Sequence, residues 1–244
     1  THKKILDGKR ILKNCYNDFY KTMLSIEKKY LINKKVGVRI ELGAGIGFIK
    51  KFDKKIITSD VIKNKFTDKT IDANKIPYGN NKISTIFGIF CFHHFKDQYG
   101  FLKDLEKKLK PGGLCILIEP YYGFLASLAY KKIHKSEYFD PNEKLNHKIN
   151  NKTAMENANQ ALSYIYFKKN KNKFDQNFPK LEILEEYIFS NYLRFIISGG
   201  LNFKKLMPEF LNIFVVIVEI LISPLKKILG IHYLIVLRKK SIME

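Results

Sequence analysis

The residues best suited to chemistry lie in the first half of the chain. Glu41-Leu42-Gly43-Ala44-Gly45-Ile46-Gly47 is a glycine-rich turn. Glycine lets a backbone bend sharply and approach a ligand closely, and a helix starting there offers free N–H groups. The spacing argues against a dinucleotide: G-x-G-x-x-G wants a glycine where Phe48 stands, and Gly47 comes one residue early. The phosphate loop G-x-x-x-x-G-K-[ST] is absent as well. Downstream, Asp60 can accept hydrogen bonds from both hydroxyls of an adenosine ribose. Asp72 offers an acceptor for an adenine amino group, and the Ala73 N–H faces the same ring.

A second group suits proton transfer or acceptor binding. His93 and His94 close an apolar run, and an imidazole titrates near neutrality, so either can take a proton from a hydroxyl. The pair serves equally well as a positioning element; as a base, His94 ranks ahead of His93. Adjacent histidines with no Cys or Asp/His set beside them in sequence do not make a zinc site, so no metal is expected. Glu119 can bind or deprotonate an acceptor, or cap the helix after it. Tyr121, Tyr122, His134, Glu137, Asp140, Asn159 and Gln160 combine aromatic faces with polar groups, a set that suits a sugar or other polyol. Taken singly, each also reads as ordinary surface polarity.

These residues need elements to hold them. Apolar positions Ile11, Leu12, Cys15, Phe19, Met23, Leu24 and Ile26 recur at helical spacing, which predicts one amphipathic helix over residues 9–32. Strands are expected at 36–42, 55–60, 83–92 and 114–118, with a short helix after the glycine turn. A helix over 101–109 is expected to stop at Pro111-Gly112-Gly113. The run at 83–92 is apolar almost throughout, as a strand buried on both faces should be. Alternating strands and helices predict a parallel sheet covered by helices. Residues 121–180 read as helices and loops over the sheet edge, 181–197 as holding a strand, 203–229 as a long helix broken near Pro224, and 233–237 as a last strand. The apolar positions of that late helix, Phe210, Leu211, Phe214, Val215, Val218, Leu221 and Ile222, predict a core helix packed on the sheet. Its lysine flanks also admit a surface resting on the inner face of a membrane.

The 244 residues suit one large α/β domain, and 45% hydrophobic content can fill its core. A formal charge of +21 invites a nucleic-acid reading. Its make-up speaks against one: the arginines are Arg10, Arg39, Arg194 and Arg238, and the remaining basic residues are lysines scattered along the whole chain. Cys15, Cys91 and Cys115 have no metal-type spacing and read as reduced thiols of a cytoplasmic protein. The lysine-rich opening does not read as a secretory leader, and the apolar stretch 210–225 is too interrupted to span a bilayer.

In order along residues 36–119, E-L-G-A-G-I-G, S-D, D-A-N-K-I-P-Y, F-C-F-H-H-F and L-K-P-G-G-L resemble the class I, Rossmann-like S-adenosylmethionine-dependent methyltransferases, in particular the type 11 group. The resemblance implies a doubly wound, mostly parallel seven-stranded sheet in the order 3-2-1-4-5-7-6. Strand 7 would be antiparallel, helices would cover both faces, and a helical insertion would follow strand 5. It implies one domain over 1–244, with an N-terminal helix (1–33), a cofactor-binding half (34–119) and a substrate-binding half (120–244). Glu41, Gly43, Ala44, Gly45 and Gly47 would hold the methionine part of S-adenosylmethionine. Asp60 with Val61 would hold the ribose, Asp72 and Ala73 the adenine, and Gly88, Phe90 and His94 would line the cofactor from strand 4. The chain departs from many relatives at Ser84, where they carry an acid.

Glu119-Pro120-Tyr121-Tyr122 is not the Asn-Pro-Pro-Tyr type motif of base or glutamine methylation. The expected reaction is therefore methyl transfer to a small-molecule acceptor, with a hydroxyl of a glycan or lipid-linked precursor of surface-polysaccharide pathways preferred. Two other readings stand beside it: methylation of RNA or another nucleic acid, and cofactor binding without catalysis.

Overall fold

The computed structural model describes residues 2–31, 37–133, 137–145 and 158–241. His134 lies outside the described residues, as does the expected strand start at Val36. The expected N-terminal helix is in two pieces, a short α1 (His2–Gly8) and then α2 (Arg10–Tyr30). Ile11, Leu12, Cys15, Phe19, Met23 and Ile26 of α2 are buried, so the helical period does mark its inner face. Seven strands follow: β1 (Val38–Leu42), β2 (Ile57–Asp60), β3 (Lys69–Thr70), β4 (Ile83–Ile89), β5 (Leu109–Pro120), β6 (Leu181–Ile188) and β7 (His232–Lys239). They form one sheet in the order β3-β2-β1-β4-β5-β7-β6. Every pair from β3 to β5 is parallel, and β7 runs antiparallel to both β5 and β6.

Period-two alternation builds the core on both faces of this sheet. Leu114, Ile116 and Ile118 of β5 pack with Phe19 and Met23 of α2. Cys115 and Leu117 point the other way, into a cluster that contains Phe101, Leu102 and Leu105 of α3 (Gln98–Lys108). Between β5 and β6 lie α4 (Phe124–Ile133), α5 (Leu162–Tyr164), a π turn (Ile165–Lys169) and α6 (Lys171–Asn177), the helical segment expected there. Then come α7 (Tyr192–Ser198), α8 (Asn212–Ile222) and α9 (Lys226–Leu229).

Some expectations are corrected. Pro111-Gly112-Gly113 does not separate α3 from the next strand; β5 starts at Leu109 and runs through it. The register against β4 jumps between Ile83 and Thr85 to absorb the extra residues, and Gly112 takes a left-handed φ of 76°. The short helix expected after the glycine turn is a 3-10 helix (Phe48–Lys51). The late helix begins only at Asn212, because Pro208 is extended and the chain before it folds back with Leu206 N–H donating to Ile197 C=O (2.8 Å). It is not a core helix either: only Val215 and Glu219 of α8 are buried.

Arg39 pins β1 to α2 through a two-pronged pair with Glu27 (2.9 and 2.5 Å) and a further contact to Asp53. Burial of Arg39 works against its charge, but those two carboxylates more than compensate and raise its affinity for the proton. Glu27→Ala should cost about 1–3 kcal/mol, the penalty for leaving a half-buried cation short of a partner. Urea denaturation read by circular dichroism measures it.

Candidate active site

The sheet order reverses between β1 and β4, which opens a crevice at the carboxyl ends of the strands. A cavity of about 590 Å³ occupies it. The glycine turn forms one wall. Gly43 and Gly45 have φ of 63° and 53°, a region that costs an L side chain strain. A Cβ at Gly43 would meet Cys91 Cβ at 2.7 Å, whereas one at Gly45 would meet nothing within 4 Å. Gly47 (φ 63°) does not line the cavity; a Cβ there would strike Phe66 O at 2.4 Å. Gly88 also stands back, packed so closely that a Cβ would meet Cys91 Sγ at 2.6 Å.

Asp60 ends β2 at the cavity wall, its Oδ2 accepting from Gly45 N–H (2.9 Å) and its Oδ1 from Ile62 N–H (3.2 Å). Val61, Asp72, Ala73 and Ala44 line the same space. Asp72 Oδ1 accepts from Asn74 N–H (2.9 Å). Phe90 leaves β4 with a φ of 51°, uncommon for a bulky residue, and presents its ring to the cavity beside Phe195 and His232. Backbone strain of this kind persists where the surroundings enforce it. Burial pushes the His232 imidazole down to about 3, so it stays neutral.

Glu41 sits beneath this wall, fully buried. Its Oε1 accepts from Tyr20 O–H (2.6 Å), while Oε2 has no hydrogen-bond partner in the protein. Burial pushes its carboxyl up to about 8; the Tyr20 bond opposes that rise and the charge of Asp60 adds to it.

On the far side, the 3-10 turn Phe92–His94 carries both histidines. Glu119, fully buried at the end of β5, accepts from Cys91 N–H (3.0 Å) and Phe92 N–H (2.9 Å) on one oxygen. Its other oxygen meets His93 Nδ1 at 2.5 Å. All three partners face an acceptor-only carboxylate, so His93 Nδ1 carries a proton and donates it. That leaves Nε2 as the lone-pair nitrogen, pointing across 3.7 Å to Glu137 Oε2. Burial alone would lower the affinity of His93 for a second proton, but the charges of Glu119 and Glu137 hold it above the ordinary histidine value. His94 Nε2 lies 3.6 Å from Glu137 Oε1, and its ring stacks beside that of His93.

Asp97, the acid nearest the two histidines in sequence, caps α3 by accepting from Gly100 N–H (2.7 Å); the fold instead supplies Glu119 from β5 and Glu137 from beyond α4. Ligand atoms of His93, His94 and Glu137 lie within 4.8 Å of one another, close enough to embrace a cation. Glu137 is held in turn by Gln160 Nε2 (2.5 Å), and both line the cavity.

Other residues singled out in the sequence fall elsewhere. Glu119 does not line the cavity and reaches it through His93. Tyr121 and Tyr122 pack against each other with tilted rings and meet Tyr233 edge-on, away from the space. Asn159 is buried in its own loop, donating to Asp140 C=O (2.8 Å) and accepting from Ala161 N–H (2.9 Å). Sequence reasoning missed Tyr20, Tyr130, Phe195, Phe203 and His232, all of which line the cavity. They come from segments remote from the glycine turn, and no local pattern marks them.

Residues 40–117 match a family model described as a methyltransferase domain, of type 11. No curated protein sequence matches the chain. Among solved structures, the proposed methyltransferase in the Haloferax volcanii complex with the Trm112 methyltransferase activator is similar over 100% of this chain and 99% of its own, at 11% identity and a TM-score of 0.52. A phosphoethanolamine N-methyltransferase from Haemonchus contortus, solved with phosphomonomethylethanolamine and S-adenosylhomocysteine, is 12% identical with a TM-score of 0.48. That match covers 91% of this chain and 53% of the other. A proposed S-adenosylmethionine-dependent methyltransferase from Listeria monocytogenes is also 12% identical, covers 89% and 97%, and has a TM-score of 0.48. Such identities bear on fold alone. Residues 40–117 thus match a methyltransferase domain, and the seven strands take the order 3-2-1-4-5-7-6 of the Rossmann-like fold of class I S-adenosylmethionine-dependent methyltransferases.

The residues present fit that cofactor. It is cationic at its sulfonium and ammonium centres, and in a chain of net charge +21 the cavity is lined by Asp60, Asp72 and Glu137 with Lys96 as the one Lys or Arg among the described lining residues. The partnerless Glu41 Oε2 adds a buried acceptor beneath the turn.

The raised Glu41 carboxyl makes stability depend on pH. The folded chain keeps a proton that the unfolded chain releases near 4.5, so this group's contribution falls as pH rises from about 4.5 to about 8. One such proton corresponds to about 1.4 kcal/mol per pH unit. Glu41→Gln should flatten the decline in melting temperature between those pH values, as differential scanning fluorimetry would record.

Proposed function

We propose that the chain transfers a methyl group to a hydroxyl of a small-molecule acceptor, with a glycan or lipid-linked precursor the preferred class. The observation that carries this reading is the buried Glu119–His93 pair, whose outward nitrogen faces the cavity beside Glu137. When bound, S-adenosylmethionine supplies an electrophilic methyl group. Asp60 and Val61 hold its ribose, Asp72 and Ala73 its adenine, and Gly43, Ala44 and Gly45 let the backbone approach its methionine end. Glu41 accepts from the ammonium group, which is also a reason for its ionised form to prevail in the complex.

The acceptor hydroxyl lies between His93 Nε2 and Glu137. His93 takes its proton, and Glu119 stabilises the imidazolium that results while fixing the ring by way of Nδ1. Glu119 is thus a positioning residue and His93 the base, with His94 and Gln160 orienting Glu137. Holding the nucleophile close and aligned supplies much of the remaining rate. Three of the four arginines support the small-molecule reading over a nucleic acid: Arg39, Arg194 and Arg238 are engaged by Glu27, Glu219 and Glu182 within the chain. One domain over 1–244, entered from its substrate-binding half, completes the reading.

Calorimetric titration with S-adenosylhomocysteine tests the cofactor site. Micromolar-range binding is expected, weakened about tenfold or more in Asp60→Ala by loss of charge-assisted bonds. Folded protein that does not bind it would overturn the assignment; binding with no turnover on any glycan or lipid-linked acceptor would leave a binding protein. For the base, kcat should rise with pH through a limb set by His93. Glu119→Gln should lower kcat by about a hundredfold and move that limb to lower pH, since the charge that raises His93 is gone. A chelator should leave turnover unchanged; activity lost to it and restored by a divalent ion would assign His93, His94 and Glu137 to a metal instead.

A further inference from the structure

Helix α8 is amphipathic the wrong way round. Its inward face is carried by Val215 and a carboxylate: Glu219 accepts from Arg194 N–H (2.7 Å) and Arg194 Nε (2.5 Å), and Arg194 also reaches Asp18 on α2 (3.0 Å). The charged group holds the helix to the body of the protein. Its outward face is apolar: Ile213, Phe214, Ile217, Ile220 and Leu221, with Phe210 of the preceding 3-10 turn, are each between 52% and 77% exposed. Their spacing of three and four residues sets them in one stripe along the helix. Leu225 and Ile228 of the following turn and α9 are about half exposed, and they lead to Phe124 on α4, which packs against α9. Folded proteins rarely leave such a continuous apolar face to water without a use for it.

No helix among the described residues is long and apolar enough to cross a membrane. The pattern is that of a helix lying in an interface. Lys204 and Lys205 precede the stripe and Lys226 and Lys227 follow it, in a chain of net charge +21. A cationic rim around an apolar face complements an anionic bilayer: the side chains enter the boundary between headgroups and acyl chains, and the lysines meet the phosphates. The stripe also continues to the active site. Leu206 is exposed at its near end, and Phe203 and Ile196, both partly exposed, line the cavity.

We infer that α8 and α9 form an interfacial docking surface for an anionic lipid bilayer, which sets the mouth of the cavity against the membrane so that a lipid-linked acceptor enters from it. The docking surface stands on its own observations; the entry of an acceptor rests on the methyl-transfer reading above.

Flotation with vesicles of phosphatidylcholine, alone or with about one third phosphatidylglycerol, tests it on the full chain. The protein should float with the anionic vesicles, at least tenfold more than with the neutral ones, and less as salt is raised. Phe214→Ser with Leu221→Ser, both exposed, should abolish flotation while melting temperature and S-adenosylhomocysteine binding stay as in the wild type. Sedimentation velocity in the same buffer covers the competing occupant. A dimer that the double variant dissolves, with no flotation by either protein, would overturn the inference and assign the face to a second copy. Wild type that remains unbound at every lipid composition would overturn it equally. Loss of S-adenosylhomocysteine binding in the wild type would strike the methyl-transfer reading and leave the flotation result untouched.

Discussion

A carboxylate shut away from water organises the candidate active site. Glu119 stands at the end of β5 with its oxygens filled by the Cys91 and Phe92 N–H groups and by His93 Nδ1. A buried charge is costly unless both oxygens are hydrogen-bonded, so these bonds depend on one another. They pull the turn after β4 over the end of β5 and fix which nitrogen of His93 faces the cavity. The strained Phe90, two residues before the turn, follows from the same closure: the chain must leave β4 abruptly for its next N–H groups to reach Glu119.

The distribution of charge tells a consistent story. The chain is strongly basic, yet Asp60, Asp72 and Glu137 outnumber Lys96 among the Asp, Glu, Lys and Arg residues that line the cavity, and the arginines at 39, 194 and 238 are tied to acids within the fold. Lysines are left to the surface, where they act as diffuse positive charge and not as a shaped recognition element. A cationic cofactor is drawn to the inside, and anionic surfaces to the outside. Helix α8, whose polar group faces in and whose apolar side chains face out, is flanked by those lysines.

Some costs accompany this arrangement. Glu41 is buried with one oxygen lacking a protein partner and with its proton retained well above the ordinary carboxylate range. Among the described residues only the Tyr20 hydroxyl uses that group in hydrogen bonding, and the second carboxyl oxygen is carried at a cost in stability. Sites that bind a charged ligand carry such penalties, because the groups must be in place before the ligand arrives.

The fold was legible in the sequence because local patterns encode it. Alternating apolar residues mark Leu114 to Ile118 as a strand, helical spacing marks Ile11 to Ile26, and Glu41 to Gly47 with Asp60 and Asp72 lie at successive strand ends, where a wound sheet must gather them. Short-range sterics and periodic burial act within a few residues, so one stretch of chain records them. Long-range pairing left no such record. That Glu119 belongs to His93, that Glu137 and Gln160 close over both histidines, and that Tyr121 and Asn159 turn away from the cavity depend on how the segment after β5 folds back. The apolar period of α8 was plain, but period alone cannot say which face is covered: Glu219 turned inward because Arg194 awaits it, and that decision belongs to the tertiary structure.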